Sequence, residues 1–350
     1  NRFLTAQEEL KLEVSQQSIP WEIIARPQVG ENPVFPKPPR DIALGLIGGT
    51  LLGIACALIA EKLDPVFHSP EEITEMTKLP LLGRVPIQKD LKPLEVEEQV
   101  APSLPQLQIG NMAINVQPSS QSPQQRTRSK YRYNASPFLE AFRSLNTNIR
   151  LLGSDSLLNS IVISSSTPSE GKSTISSHLA QAAAAMGQKV LLVDADLRRP
   201  QVHTWMGLKN EEGLSNILAT NLSVESAIQT VPQWENLSII SAGDIPPDPT
   251  RLLAYYKMKE FMEQLKNSHK YDLIIYDTPP ILGFADGRIL ATRTNGVVLV
   301  VKMGKTDRSV LKQNIDNLKM SNISVLGLVA NQVKPDYSGS SYYSHYYRDK

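Results

Sequence analysis

Residues 164–174 read Ser-Ser-Ser-Thr-Pro-Ser-Glu-Gly-Lys-Ser-Thr, directly after the β-branched run Ile161-Val162-Ile163 and before the helix-like segment Ile175–Met186. A buried strand, a small-residue loop, Gly-Lys-Ser and a helix make a phosphate-binding loop. The backbone N–H groups of Ser169, Glu170, Gly171, Lys172, Ser173 and Thr174 would surround phosphate oxygens, because a helix start carries unpaired donors and partial positive charge. Lys172 would reach the β/γ-phosphates, and the Ser173 hydroxyl would bind Mg²⁺. The first glycine of the usual G-x-x-x-x-G-K-[ST] pattern is replaced by Ser166. Alone, such a stretch could be an accidental Gly-Lys-Ser in a turn, so the remaining motifs decide the reading.

Two further apolar runs end in acids. Val190–Pro200 (VLLVDADLRRP) presents Asp194 and Asp196 at a period of two, and Asp272–Pro280 (DLIIYDTPP) ends its run on Asp277. Two close carboxylates require a cation beside them, Mg²⁺ or Arg198/Arg199. Asp277 stands where phosphate-loop enzymes hold Mg²⁺ through water. Apolar runs at Ile161–Ile163, Val190–Val193, Leu237–Ile240, Leu273–Tyr276, Gly296–Val301 and Val325–Ala330 read as strands. Helical patterns lie between them, as at Pro249–Lys266 and Ser309–Met320. Buried strands alternating with helices predict an α/β fold of the P-loop NTPase type, a mainly parallel sheet covered on both faces. Ligand then binds at the C-terminal strand ends, where these motifs fall.

Outward from this core the composition changes. At 350 residues with a net charge of +1, bulk charge predicts no nucleic-acid partner, and the lone Cys56 excludes a disulfide framework. The chain starts at Asn1 and reads as the C-terminal part of something longer. Residues 1–16 read as the end of a helix and Ser18–Arg40 as a Pro-rich spacer, so residues 1–41 are assigned to the end of an extracytoplasmic region. Ile42–Ala60 holds 19 residues without a charge, bracketed by Arg40-Asp41 and Glu61-Lys62. At 1.5 Å per residue it is about 28 Å long, which matches a bilayer core and predicts a transmembrane helix; the alternative is a buried core helix. Gly45, Gly49 and Gly53 share one face, either a helix-packing ridge or the general glycine enrichment of membrane helices. The basic residues that follow the span place its C-terminal side in the cytoplasm.

Residues 61–130 read as a juxtamembrane segment, with a capped helix at Ser69–Glu72 and an apolar Leu79–Val85 piece, followed by a Pro/Gln/Ser-rich linker. The nucleotide domain is predicted over 131–335, opening with the amphipathic helix Phe138–Leu152, whose Phe138, Phe142, Leu145, Ile149 and Leu152 share a face. In the tail, 336–350, Tyr337, Tyr342, Tyr343, Tyr346 and Tyr347 are five of the chain's 11 tyrosines. Their spacing fits neither helix nor strand burial; beside a phosphoryl-transfer site they read as acceptors, and otherwise as an aromatic terminus that packs on a neighbour.

VLLVDADLRRP and DLIIYDTPP resemble the Walker A′ and Walker B motifs of bacterial tyrosine autokinases (BY-kinases), relatives of the partition ATPases. The Pro-rich approach, the membrane helix and the HSPEEI segment at His68–Ile73 resemble the polysaccharide co-polymerase portion fused to such kinases. The resemblance implies that a first membrane helix and a periplasmic domain precede Asn1. It also implies a kinase in the bacterial inner membrane with its catalytic domain in the cytoplasm. That kinase would use ATP and Mg²⁺ for autophosphorylation of the tail, in trans within ring-like homo-oligomers, reset by a phosphotyrosine phosphatase and controlling polysaccharide polymerisation or export. By this resemblance Lys172, Asp194, Asp196 and Asp277 are catalytic, Ser173 with the three aspartates holds the metal, and Asn331 contacts adenine. The family's interface motif E-x-x-R-x-x-R is matched by Glu140 and Arg143, but Asn146 replaces the second arginine and Arg150 lies one turn beyond. A tract that usually ends Asn-Pro-x-Glu-Leu-Leu reads DPTRLL at Asp248–Leu253, with Arg251 in place of an acid. A partition-type ATPase, with water as acceptor, is the alternative; it usually carries a lysine five before the loop lysine, where this chain has Thr167. A non-catalytic co-polymerase scaffold is the third reading, opposed by the intact acids.

Overall fold

The computed structural model describes residues 2–17, 37–88, 136–153, 158–220 and 222–334. Most of the Pro-rich spacer, the linker beyond residue 88 and the whole tyrosine tail lie outside the described residues. Contacts divide the chain into a unit ending at Asp64 and a unit starting at Pro65.

The first unit contains the helices Arg2–Gln17 and Pro38–Leu63. Pro38 suits a first helical position, where no N–H partner is needed, and Asp41 complements the positive helix start. The helix overruns the expected span at both ends, and Pro39–Ile59 within it is long and apolar enough to cross a membrane. Its large apolar side chains are exposed, among them Ile42, Leu46, Leu51 and Leu58. A Cβ on Gly45, Gly49 or Gly53 would meet no atom within 4 Å.

The second unit is built on one eight-stranded sheet: β1 Leu81–Pro86, β2 Ser160–Ser165, β3 Val190–Asp194, β4 Ile228–Val231, β5 Trp234–Ile240, β6 Leu273–Asp277, β7 Val297–Lys302 and β8 Val325–Val333. Their spatial order is β1-β8-β7-β2-β6-β3-β5-β4, parallel throughout except for the β4–β5 edge pair. Each expected strand is present, with its apolar run buried on both faces. Val162, Leu191, Val193, Ile274, Tyr276, Leu299 and Val301 face a core closed by the helices Leu214–Ala219, Tyr256–Asn267 and Arg308–Met320. Their neighbours Ile161, Ile163, Val190, Leu192, Ile275, Val298 and Val300 face a second core under the helices Pro137–Leu152 and Lys172–Ala185. Alternation is invisible in such strands because both sides are covered.

Three local readings change. The apolar piece assigned to a juxtamembrane segment is β1, an edge strand of the sheet. It pairs with β8 from Leu81–Leu328 to Pro86–Val333, and Leu82 and Val85 are buried against Leu145. Phe67 and Ile73, upstream of it, are wholly buried in the first core. The sheet therefore recruits chain well before Tyr131. Second, Leu152 is exposed, because the helix ends there and only Phe138, Phe142, Leu145, Asn146 and Ile149 face inward. Third, the pattern at Pro249–Lys266 splits into Pro249–Ala254 and Tyr256–Asn267, with Tyr255 extended between them.

Candidate active site

β2 feeds the phosphate loop, and the helix Lys172–Ala185 leaves it. Gly171 turns the chain at φ 97°, in the left-handed region that favours glycine, and a Cβ there would collide with the Asn331 amide. Among the described residues, the backbone N–H groups of Glu170 through Thr174 donate to no protein acceptor, and the first loop-to-helix bond is Ile175 N–H to the Gly171 carbonyl. Five unpaired donors at the start of a 14-residue helix form an anion cradle. The Ser166 N–H, at the replaced glycine, is turned away and donates to Glu170 Oε2 at 2.8 Å.

The three acids meet the lysine at the C-terminal strand ends. Asp194 and Asp277 are paired across β3 and β6. Lys172 Nζ lies 2.6 Å from Asp196 Oδ2 and 3.9 Å from Asp277 Oδ2, and donates to Ser173 Oγ at 3.0 Å. The cation beside the acid pair is therefore Lys172, not Arg198 or Arg199. Arg198 turns outward to the buried Asp286, with Nε 2.7 Å from its Oδ2, and also donates to Thr250 Oγ1. Arg199 contributes its backbone N–H to Asp196 Oδ1. Asp194 is held by backbone: its oxygens accept from the N–H groups of Asp196, Gln201 and Val202.

Burial, and then the charge of Asp277, push the Asp194 carboxyl well above its ordinary range. Burial also raises Asp277, against the opposing pull of Lys172. Burial alone would lower Lys172, but Asp277 and Asp196 outweigh it and hold the ammonium above the usual lysine value. The site is a buried, charge-coupled cluster, poised for a ligand that brings both negative charge and a cation.

The donor set fits Mg²⁺ with partners from outside the protein. Asp277 Oδ1 accepts from Ser176 Oγ, while Oδ2, 3.9 Å from the Lys172 ammonium, is buried with no hydrogen-bond partner among the described residues and faces the Ser173 side of the loop. An orphaned carboxylate oxygen beside a serine hydroxyl is what a hydrated Mg²⁺ needs. Among the described residues no three acidic, His or Cys side chains converge to hold a metal alone, so phosphate and water would complete its shell.

Other expected residues take different places. Asn331 lies within β8, not after it, beneath the loop: its Nδ2 donates to the Glu170 carbonyl at 2.8 Å and its Oδ1 accepts from Gln332 N–H. The Glu170 carboxylate faces inward and touches the loop's own start. Arg251 uses its backbone N–H to complete the Asp248 cap, and nothing in the structure explains its side chain. On the helix Pro137–Leu152, Glu140 and Arg143 lie 3.6 Å apart and Arg150 is exposed. Asn146 is buried and donates to Gln188 Oε1, so it cannot present a polar group on that outer face. Thr306, Lys305, Thr250 and Asp286 escaped the sequence reading; Thr306 and Lys305 touch the phosphate loop from the segment after β7, a long-range pairing that no local pattern signals.

Comparison with known proteins agrees with this geometry. The AAA domain family model matches residues 159–324. The tyrosine-protein kinase YwqD of Bacillus subtilis is 39% identical over 207 residues, 59% of this chain and 85% of that protein. The tyrosine-protein kinase etk of Escherichia coli is 28% identical over 342 residues, 95% of this chain but only 44% of that protein's length. The solved kinase domain of the Escherichia coli enzyme ETK superposes with a TM-score of 0.61 at 26% identity, covering 76% of this chain and 95% of that domain.

Proposed function

The chain belongs to the bacterial tyrosine-protein kinases, and from that premise we propose that it is a membrane-anchored autokinase that transfers the ATP γ-phosphoryl group to its own tyrosine tail. The observation that carries this reading is the convergence of Lys172, Ser173, Asp196 and Asp277 at the mouth of the anion cradle. In the transfer, the phenol oxygen attacks the γ-phosphorus and the bond to the β-bridging oxygen breaks. The chain's part is positioning and electrostatics. Backbone donors of Glu170–Thr174 grip the phosphates, Lys172 leaves Asp196 to offset charge on the γ-phosphoryl oxygens, and Asp196 or Asp194 takes the phenol proton. The backbone bonds and burial of Asp194 favour Asp196 as the base. Mg²⁺, when bound at Ser173 and Asp277, supplies further charge neutralisation.

The exposed apolar helix supports an inner-membrane anchor, with the nucleotide site on the cytoplasmic side where ATP is available. The outward pair Glu140–Arg143 with Arg150 is consistent with a homo-oligomeric ring in which one chain's tail reaches its neighbour. Likeness to the co-polymerase portion supports control of polysaccharide polymerisation or export, with a phosphatase to reset the tail.

The test mixes a Lys172→Ala full-length chain with an active chain lacking residues 336–350, supplied with labelled ATP. Label on Tyr337, Tyr342, Tyr343, Tyr346 or Tyr347 of the inactive chain is the expected result. An unlabelled tail on the inactive chain, while intact active chains assayed alone become labelled at a rate independent of concentration, refutes transfer between chains; phosphate released with no labelled tyrosine favours the ATPase reading.

A further inference from the structure

Glu170 is a wholly buried carboxylate inside the phosphate loop, and every contact it makes ties down that loop. Oε2 accepts from the Ser166 N–H at 2.8 Å. Oε1 accepts from two hydroxyls, Thr167 Oγ1 at 2.8 Å and Thr306 Oγ1 at 2.7 Å. Its own carbonyl accepts from Asn331 Nδ2. Thr306 is itself fixed, since its Oγ1 accepts from the Lys302 N–H at the end of β7, and the next residue back, Lys305, donates to the Pro168 carbonyl at 2.6 Å. Between the pinned Pro168 and Glu170 sits Ser169 at φ 63°, left-handed backbone adopted by a residue with a Cβ. Such a conformation persists only where its neighbours over-determine it.

We propose that Glu170 is a positioning residue that holds the phosphate loop in its binding shape before nucleotide arrives, anchored on Thr306 and Lys305. The chemistry requires an internal hydrogen-bond acceptor. Phosphate organises its cradle by accepting from backbone N–H groups, and an empty loop loses that organiser. Glu170 takes its place from the back of the loop, accepting from Ser166 N–H and two hydroxyls while the donors of Gly171–Thr174 stay free. The substitution of Ser166 for the usual glycine fits this, because its N–H points to the carboxylate and not to the ligand. Glu170 acts through the loop and touches no reacting atom. The inference rests on the nucleotide reading of the site.

The experiment uses the full chain in lipid nanodiscs with Glu170→Ala, Glu170→Asp, Glu170→Gln and Thr306→Val. It measures Mg-ADP affinity, the ATP KM and kcat for tyrosine phosphorylation, and amide exchange over residues 166–171 with and without ADP. A buried donor stripped of its acceptor weakens the prepared state by about tenfold or more. Glu170→Ala and Glu170→Asp, the latter one methylene short, should therefore raise KM and the ADP dissociation constant by about that factor. Their kcat should stay within about threefold, because bound phosphates then organise the loop themselves. Glu170→Gln should stay close to wild type, since its Oε1 can accept from Ser166 and its amide can donate to hydroxyls that reverse their roles. Thr306→Val should shift KM in the same direction by less. Exchange over 166–171 should rise in Glu170→Ala and return to normal with saturating ADP. Unchanged KM in a folded Glu170→Ala, a Gln variant as impaired as Ala, or a fall in kcat at constant KM would each overturn the proposal. If Glu170→Ala does not fold, the Gln and Thr306→Val results decide alone. Failure of the wild-type chain to bind Mg-ADP sinks the nucleotide reading instead.

Discussion

Replacing Lys172 with Ala should do more than stop phosphoryl transfer. Among the described residues it strips the one lysine or arginine bridging Asp196 and Asp277, at 2.6 and 3.9 Å, from acids that are at most 4% exposed. Removing one partner of a buried ion pair costs about 3–5 kcal/mol, because the other charge stays buried. At roughly 2 °C per kcal/mol for a unit of this size, the melting temperature of the segment 65–350 should fall about 6–10 °C at pH 8 in EDTA. The sign with pH is fixed by the acids. Asp194 and Asp277 are raised in the folded state, so the folded protein binds more protons than the unfolded chain, and stability falls as pH rises above the ordinary aspartate range. Without Lys172 the acids rise further, so the variant should lose more at pH 8 than at pH 5, where protonation relieves the repulsion. Adding Asp196→Asn should restore part of the loss at pH 8. Differential scanning calorimetry at both pH values is the assay. Equal melting temperatures at pH 8, or a larger loss at pH 5, would show that the cluster is not the charge-coupled unit drawn from these distances.

A fragment starting at residue 131 should fail to reach a stable fold, whereas 65–350 should melt cooperatively. Phe67, Ile73, Leu82 and Val85 are each at most 3% exposed, and their burial contributes about 1.5–3 kcal/mol apiece, together comparable to a whole domain's stability; a calorimetric transition for the shorter piece equal to that of the longer would contradict this. Arg198→Ala should lower the melting temperature by a few degrees, since among the described residues it leaves the buried Asp286 side chain with the Thr250 hydroxyl alone, a loss of about 1–3 kcal/mol, with Arg198→Lys intermediate. Arg143→Ala should shift the sedimentation of the soluble unit towards smaller species if the outer face of Pro137–Leu152 carries the interface. An exposed pair is worth only about 0–1 kcal/mol, so the shift should be clear only near the association midpoint.

The fold was legible because its strands are covered on both faces: uninterrupted runs such as Val190–Val193 have few other uses, and the three polar motifs mark their C-terminal ends. The acids and the lysine were legible for the same reason, since strand ends put them together without long-range information. What stayed hidden depends on partners distant in sequence. Leu81–Pro86 reads as an isolated apolar piece until β8 is known to lie beside it. Glu170 reads as a loop residue until Thr306 arrives from 136 positions away. Arg198 sits beside Asp196 in sequence, yet the partner that claims it, Asp286, comes from beyond β6. Asn146 looked like a defect in a surface motif, whereas its side chain is buried and donates to Met186 and Gln188.

The resting place of the Lys172 ammonium has a consequence for the safety of the reaction. In the proposed transfer Asp196 takes the phenol proton, and the ammonium 2.6 Å from its Oδ2 would mask that carboxylate. On that proposal, a nucleotide that drew the lysine away would arm the proton acceptor by the same movement. Lure and trigger are one side chain. A tyrosine arriving before the nucleotide would then meet a neutralised pair, and the base would be exposed only with a phosphoryl donor in place.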